Sequence, residues 1–212
     1  MKLTVALVLV NIVIFILSLI PGLDYSITEF GFKPSSFLEG KFHTIVTSMF
    51  IHAGLEHIFF NMVALFLLGT SLEKKVSKGK YLLVYFLGGI LGNLVMLIPF
   101  LYSPDTIGVG ASGAISALVG LGAFLCPGKL VIFPSIIPLP FVVAGVLYFL
   151  STTMNLFMPE DMQIGYSVHM MGIIVGSIFG LIWSKNWKRS ILIFIVTLIL
   201  ILLLPYILDA IF

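Results

Sequence analysis

Ser112, His169, His57, Asn61 and His52 are the side chains of this chain whose types and spacing could carry out chemistry. Ser112 lies between two glycines in Gly110-Ala111-Ser112-Gly113, where a loop enters an apolar stretch, so its hydroxyl is approachable. The backbone N–H groups at such a helix start have no partner in their own helix and can stabilise an oxyanion. His169 stands three residues before Gly172, and Gly172, Gly176 and Gly180 follow at intervals of four. On a helix of 3.6 residues per turn all four share one face, so His169 points at a neighbouring helix. His57 and Asn61 are spaced i, i+4 and also share a face; both donate hydrogen bonds, as a developing oxyanion requires. His52 precedes them by five residues. A serine with a neutral imidazole beside it is the equipment for nucleophilic acyl transfer. Each residue alone has a plainer reading: a serine bonded back to its own helix, glycines that only let helices pack, a structural histidine. The convergence of five polar groups at one depth near one membrane face is harder to assign to packing.

The elements that must hold these residues are transmembrane helices. Of 212 residues, 60% are hydrophobic and only 9% are charged; a soluble domain carries about 25% charged residues. Uncharged, mostly apolar stretches run near 3–20, 57–72, 81–101, 111–125, 138–157, 167–183 and 190–208. A span needs roughly 17–25 residues, so five qualify outright and two, 57–72 and 111–125, are short. Short polar-bearing helices line a cavity inside a bundle in preference to facing lipid. The expected fold is an all-α polytopic membrane protein of seven spans, one membrane domain over 1–212.

Loop charge gives the orientation. Lys2, Lys74, Lys75, Lys78, Lys80, Lys129, Lys185, Lys188 and Arg189, nine of the eleven basic residues, fall on one side; Lys33 and Lys41 do not. Of the acids only Glu73 joins the basic side. Lys/Arg excess marks cytoplasmic loops, so the N-terminus is cytoplasmic and the C-terminus extracytoplasmic. The first stretch lacks a small-x-small cleavage site and reads as a retained anchor. A net charge of +2 is a topology signal and no nucleic-acid footprint, and the single Cys126 supports neither a disulfide framework nor a thiolate metal site. No cofactor and no metal are expected, and the lipid bilayer is an expected partner. With no transit-peptide pattern or soluble appendage read in the sequence, a prokaryotic plasma membrane is the expected location. The long connection 21–56 holds Phe30, Phe32, Phe37, Phe42 and Phe50 among Glu29, Lys33, Glu39 and Lys41, and is expected to lie partly in the membrane interface.

With those residues in place the chain resembles the rhomboid intramembrane serine proteases. The resemblance rests on His52-Ala-Gly-Leu-Glu-His57-Ile-Phe-Phe-Asn61, Gly110-Ala-Ser112-Gly113-Ala-Ile and His169-Met-Met-Gly172-Ile-Ile-Val-Gly176, and it covers about residues 1–184. It implies a six-helix bundle, with 190–208 as an additional seventh helix. It also implies transmembrane protein substrates as partners and a dyad without a carboxylate, Ser112 as nucleophile and His169 as general base. The oxyanion site would be the side chains of Asn61 and His57 with the Ser112 backbone N–H, supported by His52, Gly110, Gly113 and Gly172. Loop 158–166 would cap the site, and the fifth span would act with it as a lateral gate. Three positions depart from the family's pattern. Ser116 replaces an aromatic residue that stacks on the histidine, Val168 replaces a small residue, and Phe42, His43 and Thr44 stand where a Trp-Arg pair is common.

Other classes fit less well. His52-x-x-x-Glu56-His57 matches neither zinc-protease spacing, and no Asp lies inside a span, as an aspartyl protease would need. A non-catalytic rhomboid-like chaperone or binding protein is disfavoured because both serine and histidine are present. A transporter is disfavoured because paired interrupted helices are missing.

Overall fold

In lipid a backbone must satisfy its own hydrogen bonds, and each of the seven apolar stretches does so as a helix. A computed structural model describes residues 2–98, 101–133, 137–157 and 165–211. The seven helices are α1 (Lys2–Ser18), α5 (Leu55–Leu72), α6 (Lys78–Val95), α7 (Ser112–Leu125), α8 (Phe141–Phe157), α9 (Tyr166–Trp183) and α10 (Trp187–Ile211). Three short helices occupy the long connection: α2 (Leu23–Phe30), α3 (Pro34–Leu38) and α4 (Thr44–Thr47), the last running into a tight 3-10 turn at Ser48–Phe50. By length and composition α5, α9 and α10 can each cross a membrane; α7 and α8 are shorter apolar helices, and α1 and α2 form a pair bent by 117°. The protein is an all-α integral membrane protein.

Local signals set the ends. Hydropathy places the start of the third stretch at 81, yet α6 begins at Lys78 because the Ser77 hydroxyl caps it, accepting from the Lys80 N–H at 3.4 Å. The α7–α8 connection carries an element that hydropathy does not reveal. Leu130–Val131 (β1) pairs antiparallel with Leu139–Pro140 (β2) in a minimal hairpin.

α7 is the hub: every residue from Gly113 to Phe124 is buried. Its most extensive interface is with α9, and the glycine stripe explains why. A methyl group on Gly172 would collide with the Gly113 carbonyl oxygen, one on Gly176 with the Ala117 carbonyl oxygen, and one on Gly180 would lie 2.9 Å from the Leu121 carbonyl oxygen. The two backbones run in contact over more than two turns, which only small residues permit. α6 reaches α7 at Gly88 against Ala117, and α8 reaches it at Gly145 against Ala123. α10 lies outside this core, its Phe194 ring stacked on Phe124 at 4.8 Å and edge-on to Phe149 at 6.3 Å.

At the opposite end of the bundle from Ser112, Glu73 closes α1 onto α5. Its carboxylate accepts the N–H groups of Leu3 and Thr4, both at 3.0 Å, and the Thr4 hydroxyl at 2.9 Å. A helix start leaves N–H groups unpaired and carries positive dipole charge, so an acid belongs there despite its position on the basic side. Burial alone would raise this carboxyl; the hydrogen bonds donated to it, those of Leu3 and Thr4 among them, hold it down to about 2. A depressed pKa stabilises the fold fully above the ordinary carboxylate value of 4.5, and that stabilisation is lost as pH falls toward 2. Thermal melts of Glu73→Gln in detergent should therefore lie below wild type at pH 7, and the gap should close as the pH is lowered through 4.

Candidate functional site

The site is built where α5, α7 and α9 all begin. Its entry is the loop before Ser112, and the long first connection is what fixes that loop. Phe32 and Gly108 exchange backbone hydrogen bonds of 2.9 and 2.8 Å, and the Gly110 N–H donates to the Ser48 carbonyl at 2.9 Å. Ser48 is held in turn by Asn93 of α6, whose amide donates to the Ser48 hydroxyl and to the Ile45 carbonyl, both at 2.9 Å. Upstream, rings Phe32, Phe37 and Phe42 pack in series at 5.3 Å, His43 meets Phe30 edge-on, and Lys41 pairs with Glu29 at 2.8 Å. These contacts occupy the stretch where a Trp-Arg pair is common in the family.

Gly110 adopts φ +110°, a conformation that disfavours any side chain, and a methyl group there would stand 2.7 Å from His57 Nε2. The turn thus brings the His57 ring against the backbone leading into Ser112. The Ala53 N–H donates to His57 Nδ1 at 3.3 Å, so the ring proton is on Nε2, on the side of that backbone. Asn61 lies on the same face one turn on; its amide donates to the His57 carbonyl at 2.9 Å. That leaves its second N–H for other partners. Behind His57 is His52, fully buried, with ring centroids 5.1 Å apart in an edge-to-face pair. His52 Nδ1 donates to the Phe50 carbonyl at 3.2 Å. Burial first, and the neighbouring His57 second, lower its pKa to about 4, so the ring is neutral at ordinary pH and supports His57 without adding charge.

Ser112 is the first residue of α7 and His169 lies in the first turn of α9. The Ser112 hydroxyl and His169 Nε2 are 2.8 Å apart. Gly113 and Gly172 lie at the crossing of α7 and α9 directly behind this pair, so the expected supporting glycines are where the backbones touch. Val168 is accommodated because its neighbours are bare: methyl groups on Gly92 and Gly113 would fall 2.8 and 3.1 Å from its side chain. The start of α9 is further tied to the 101–110 loop by a 2.6 Å hydrogen bond between Tyr102 and Ser167. Ser116, one turn below Ser112, is fully buried and bonded to Tyr148 of α8 at 2.8 Å. Tyr148 was not identifiable from sequence, since an aromatic in an apolar span carries no spacing signal of its own; the polar residue at 116 was the available hint. The expected cap at 158–166 lies largely outside the described residues.

A hydroxyl within hydrogen-bond distance of an imidazole, a histidine N–H beside the same backbone and a helix N-terminus are parts that covalent acyl transfer uses. Comparison with known proteins identifies the family. The Rhomboid domain model matches residues 39–186, and the chain belongs to the rhomboid family. It is 27% identical over 197 residues to the mitochondrial RHOMBOID-like protein 12 of Arabidopsis thaliana, covering 86% of this chain and 57% of that one. It is 38% identical over 87 residues to the putative rhomboid protease YdcA of Bacillus subtilis, covering 41% of this chain and 42% of the relative. It is 34% identical over 96 residues to the rhomboid protease GluP of the same organism, covering 45% and 18%. The chain spans little more than half the length of the first of these relatives and less of the others.

The Gly110 geometry gives a test. Gly110→Ala forces a side chain into a left-handed conformation, costing about 1–3 kcal/mol, and pushes on the His57 ring. The expected outcome is a lower melting temperature together with slower labelling of Ser112 by a fluorophosphonate probe.

Proposed function

We propose that this chain is a serine-type intramembrane endopeptidase that cleaves transmembrane segments of other membrane proteins near the extracytoplasmic face. One observation carries the reading: residues 57 positions apart in sequence, on two different helices, meet as a hydroxyl and an imidazole nitrogen 2.8 Å apart. Family membership supports it. In the scheme, neutral His169 takes the Ser112 proton at Nε2 while the Ser112 oxygen bonds to the scissile carbonyl carbon. The resulting oxyanion is met by the Ser112 backbone N–H, the His57 Nε2–H and the free N–H of Asn61. His169 then passes its proton to the departing amine, and water hydrolyses the acyl-enzyme. Gly110, Gly113 and Gly172 hold the backbones at the required approach, and His52 holds His57.

The domain organisation proposed with this activity is a single membrane domain over 1–212, a six-helix core to about residue 184 and a seventh helix beyond it. The basic residues gather at the end of the bundle opposite Ser112, which supports a cytoplasmic N-terminus and an extracytoplasmic site. Bacterial relatives support a prokaryotic plasma membrane, beside mitochondrial and chloroplastic ones.

Purified wild type, Ser112→Ala and His169→Ala should be compared on a single-span test substrate, with and without chelator. Cleavage should fall by at least about three orders of magnitude in both variants and be indifferent to chelator. Cleavage that survives in Ser112→Ala removes the serine mechanism.

A further inference from the structure

Among the described residues, the His169 ring makes one hydrogen bond, between Nε2 and the Ser112 hydroxyl. One hydrogen bond fixes an imidazole at a point but leaves the ring free to turn about it, so something else must set its plane. Two rings lie beside it. Tyr166, three residues earlier on the same helix, meets it edge-on, with centroids 6.3 Å apart and planes at 85°. Tyr148 comes from α8, with centroids 6.3 Å apart and planes at 32°, the closer to parallel of the two.

Tyr148 is tethered. Its hydroxyl is 2.8 Å from the Ser116 hydroxyl, and the Ser116 hydroxyl donates to the Ser112 carbonyl at 2.7 Å. A serine hydroxyl has one proton. With that proton directed at the Ser112 carbonyl, the Tyr148 hydroxyl is the donor to Ser116. The chain of bonds runs Tyr148 O–H to Ser116 O–H to Ser112 C=O and ends on the residue whose side chain His169 must meet. Ser116 is fully buried, so water does not compete for these bonds.

We propose that Tyr148, tethered through Ser116 to the Ser112 backbone, is a positioning residue for His169, so that the dyad is assembled across α7, α8 and α9 and depends on α8 being docked. This rests on the Ser112–His169 reading above. Two side chains divide a task here: α7 supplies a short hydroxyl that cannot itself cover the imidazole, and α8 supplies the ring. Moving α8 away from α7 would break the tether and withdraw the ring in one step, releasing the imidazole. Tyr148 touches no reacting atom in this scheme.

The test measures three things in detergent: the second-order rate of Ser112 labelling by a fluorophosphonate, kcat and KM on a single-span substrate, and the melting temperature. Tyr148→Leu should lower the labelling rate and kcat together by about 10- to 100-fold, the scale of a misplaced catalytic group, with KM within about twofold. Tyr148→Phe keeps the ring and loses the tether; Ser116→Ala loses the same tether from the other side. Each should cost about 3- to 10-fold, and the double variant should be no worse than either alone, because both remove one bond. Tyr148→Phe preserves packing volume and serves should Tyr148→Leu fail to fold. Wild-type labelling in Tyr148→Leu, a loss confined to KM, or a lower melting temperature with unchanged kcat would each overturn the positioning role. Additive losses in the double variant would overturn the tether. Wild type that does not label at all would refute the dyad reading instead, and this proposal with it.

Discussion

The backbone-to-backbone contact of α7 with α9 is the constraint on which the rest depends. Gly172, Gly176 and Gly180 let the carbonyls of Gly113, Ala117 and Leu121 approach without intervening side chains. In lipid there is no hydrophobic gain from packing apolar helices together, so close van der Waals contact between small residues is what fixes their position. Because both helices begin at the same end of the bundle, that contact also fixes the separation of their first turns. A hydroxyl and an imidazole carried there are brought within hydrogen-bond distance by the crossing itself, not by flexible loops.

A second consequence follows from α7 being enclosed. Its 14 residues span about 21 Å at 1.5 Å per residue, short of a hydrocarbon core of about 30 Å. A helix facing lipid would be penalised for that shortfall. α7 is not, since its flanks are covered by α5, α6, α8 and α9. A short enclosed helix lets its N-terminal residue lie below the membrane surface while the space above is filled by loop. That loop is ordered by the first connection, through Phe32, Ser48 and Asn93. Ser112, half-buried at the helix start, is thus placed by helix length and by what is packed above it.

Much of this was legible in the sequence because the governing signals are local. Each of the seven apolar runs overlaps one of the longer helices, and the Gly172/Gly176/Gly180 spacing marked the face of α9 that meets α7. The glycines around Ser112 marked a loop entering a helix, but not that Gly110 turns there with positive φ against His57. What stayed hidden is pairing between elements. Nothing in residues 23–50 says that Phe32 will bridge to Gly108, or that Asn93 will clamp Ser48, because the two partners carry no shared pattern. Glu73 is an exception to the charge asymmetry that only the start of α1, docked on its carboxylate, explains. The α7–α8 hairpin escaped because two-residue strands leave no periodicity to read.

The departures from the family's sequence pattern follow the same logic. A larger residue at 168 is met by bare backbone at Gly92 and Gly113. A missing aromatic at 116 is met by Tyr148, brought in from the neighbouring helix and bonded to the very serine that replaced it. The loop without a Trp-Arg pair is held by phenylalanines and the Glu29–Lys41 ion pair. In each case the space or the contact is kept while the residue supplying it changes. A close-packed interior imposes this, since a void or an overlap at any of these points would shift the α7–α9 crossing. A shift of that crossing would carry the two proposed catalytic side chains with it. The constraint is therefore on the sum of neighbouring side chains around the dyad, and any single position, read alone, understates how closely the site is specified.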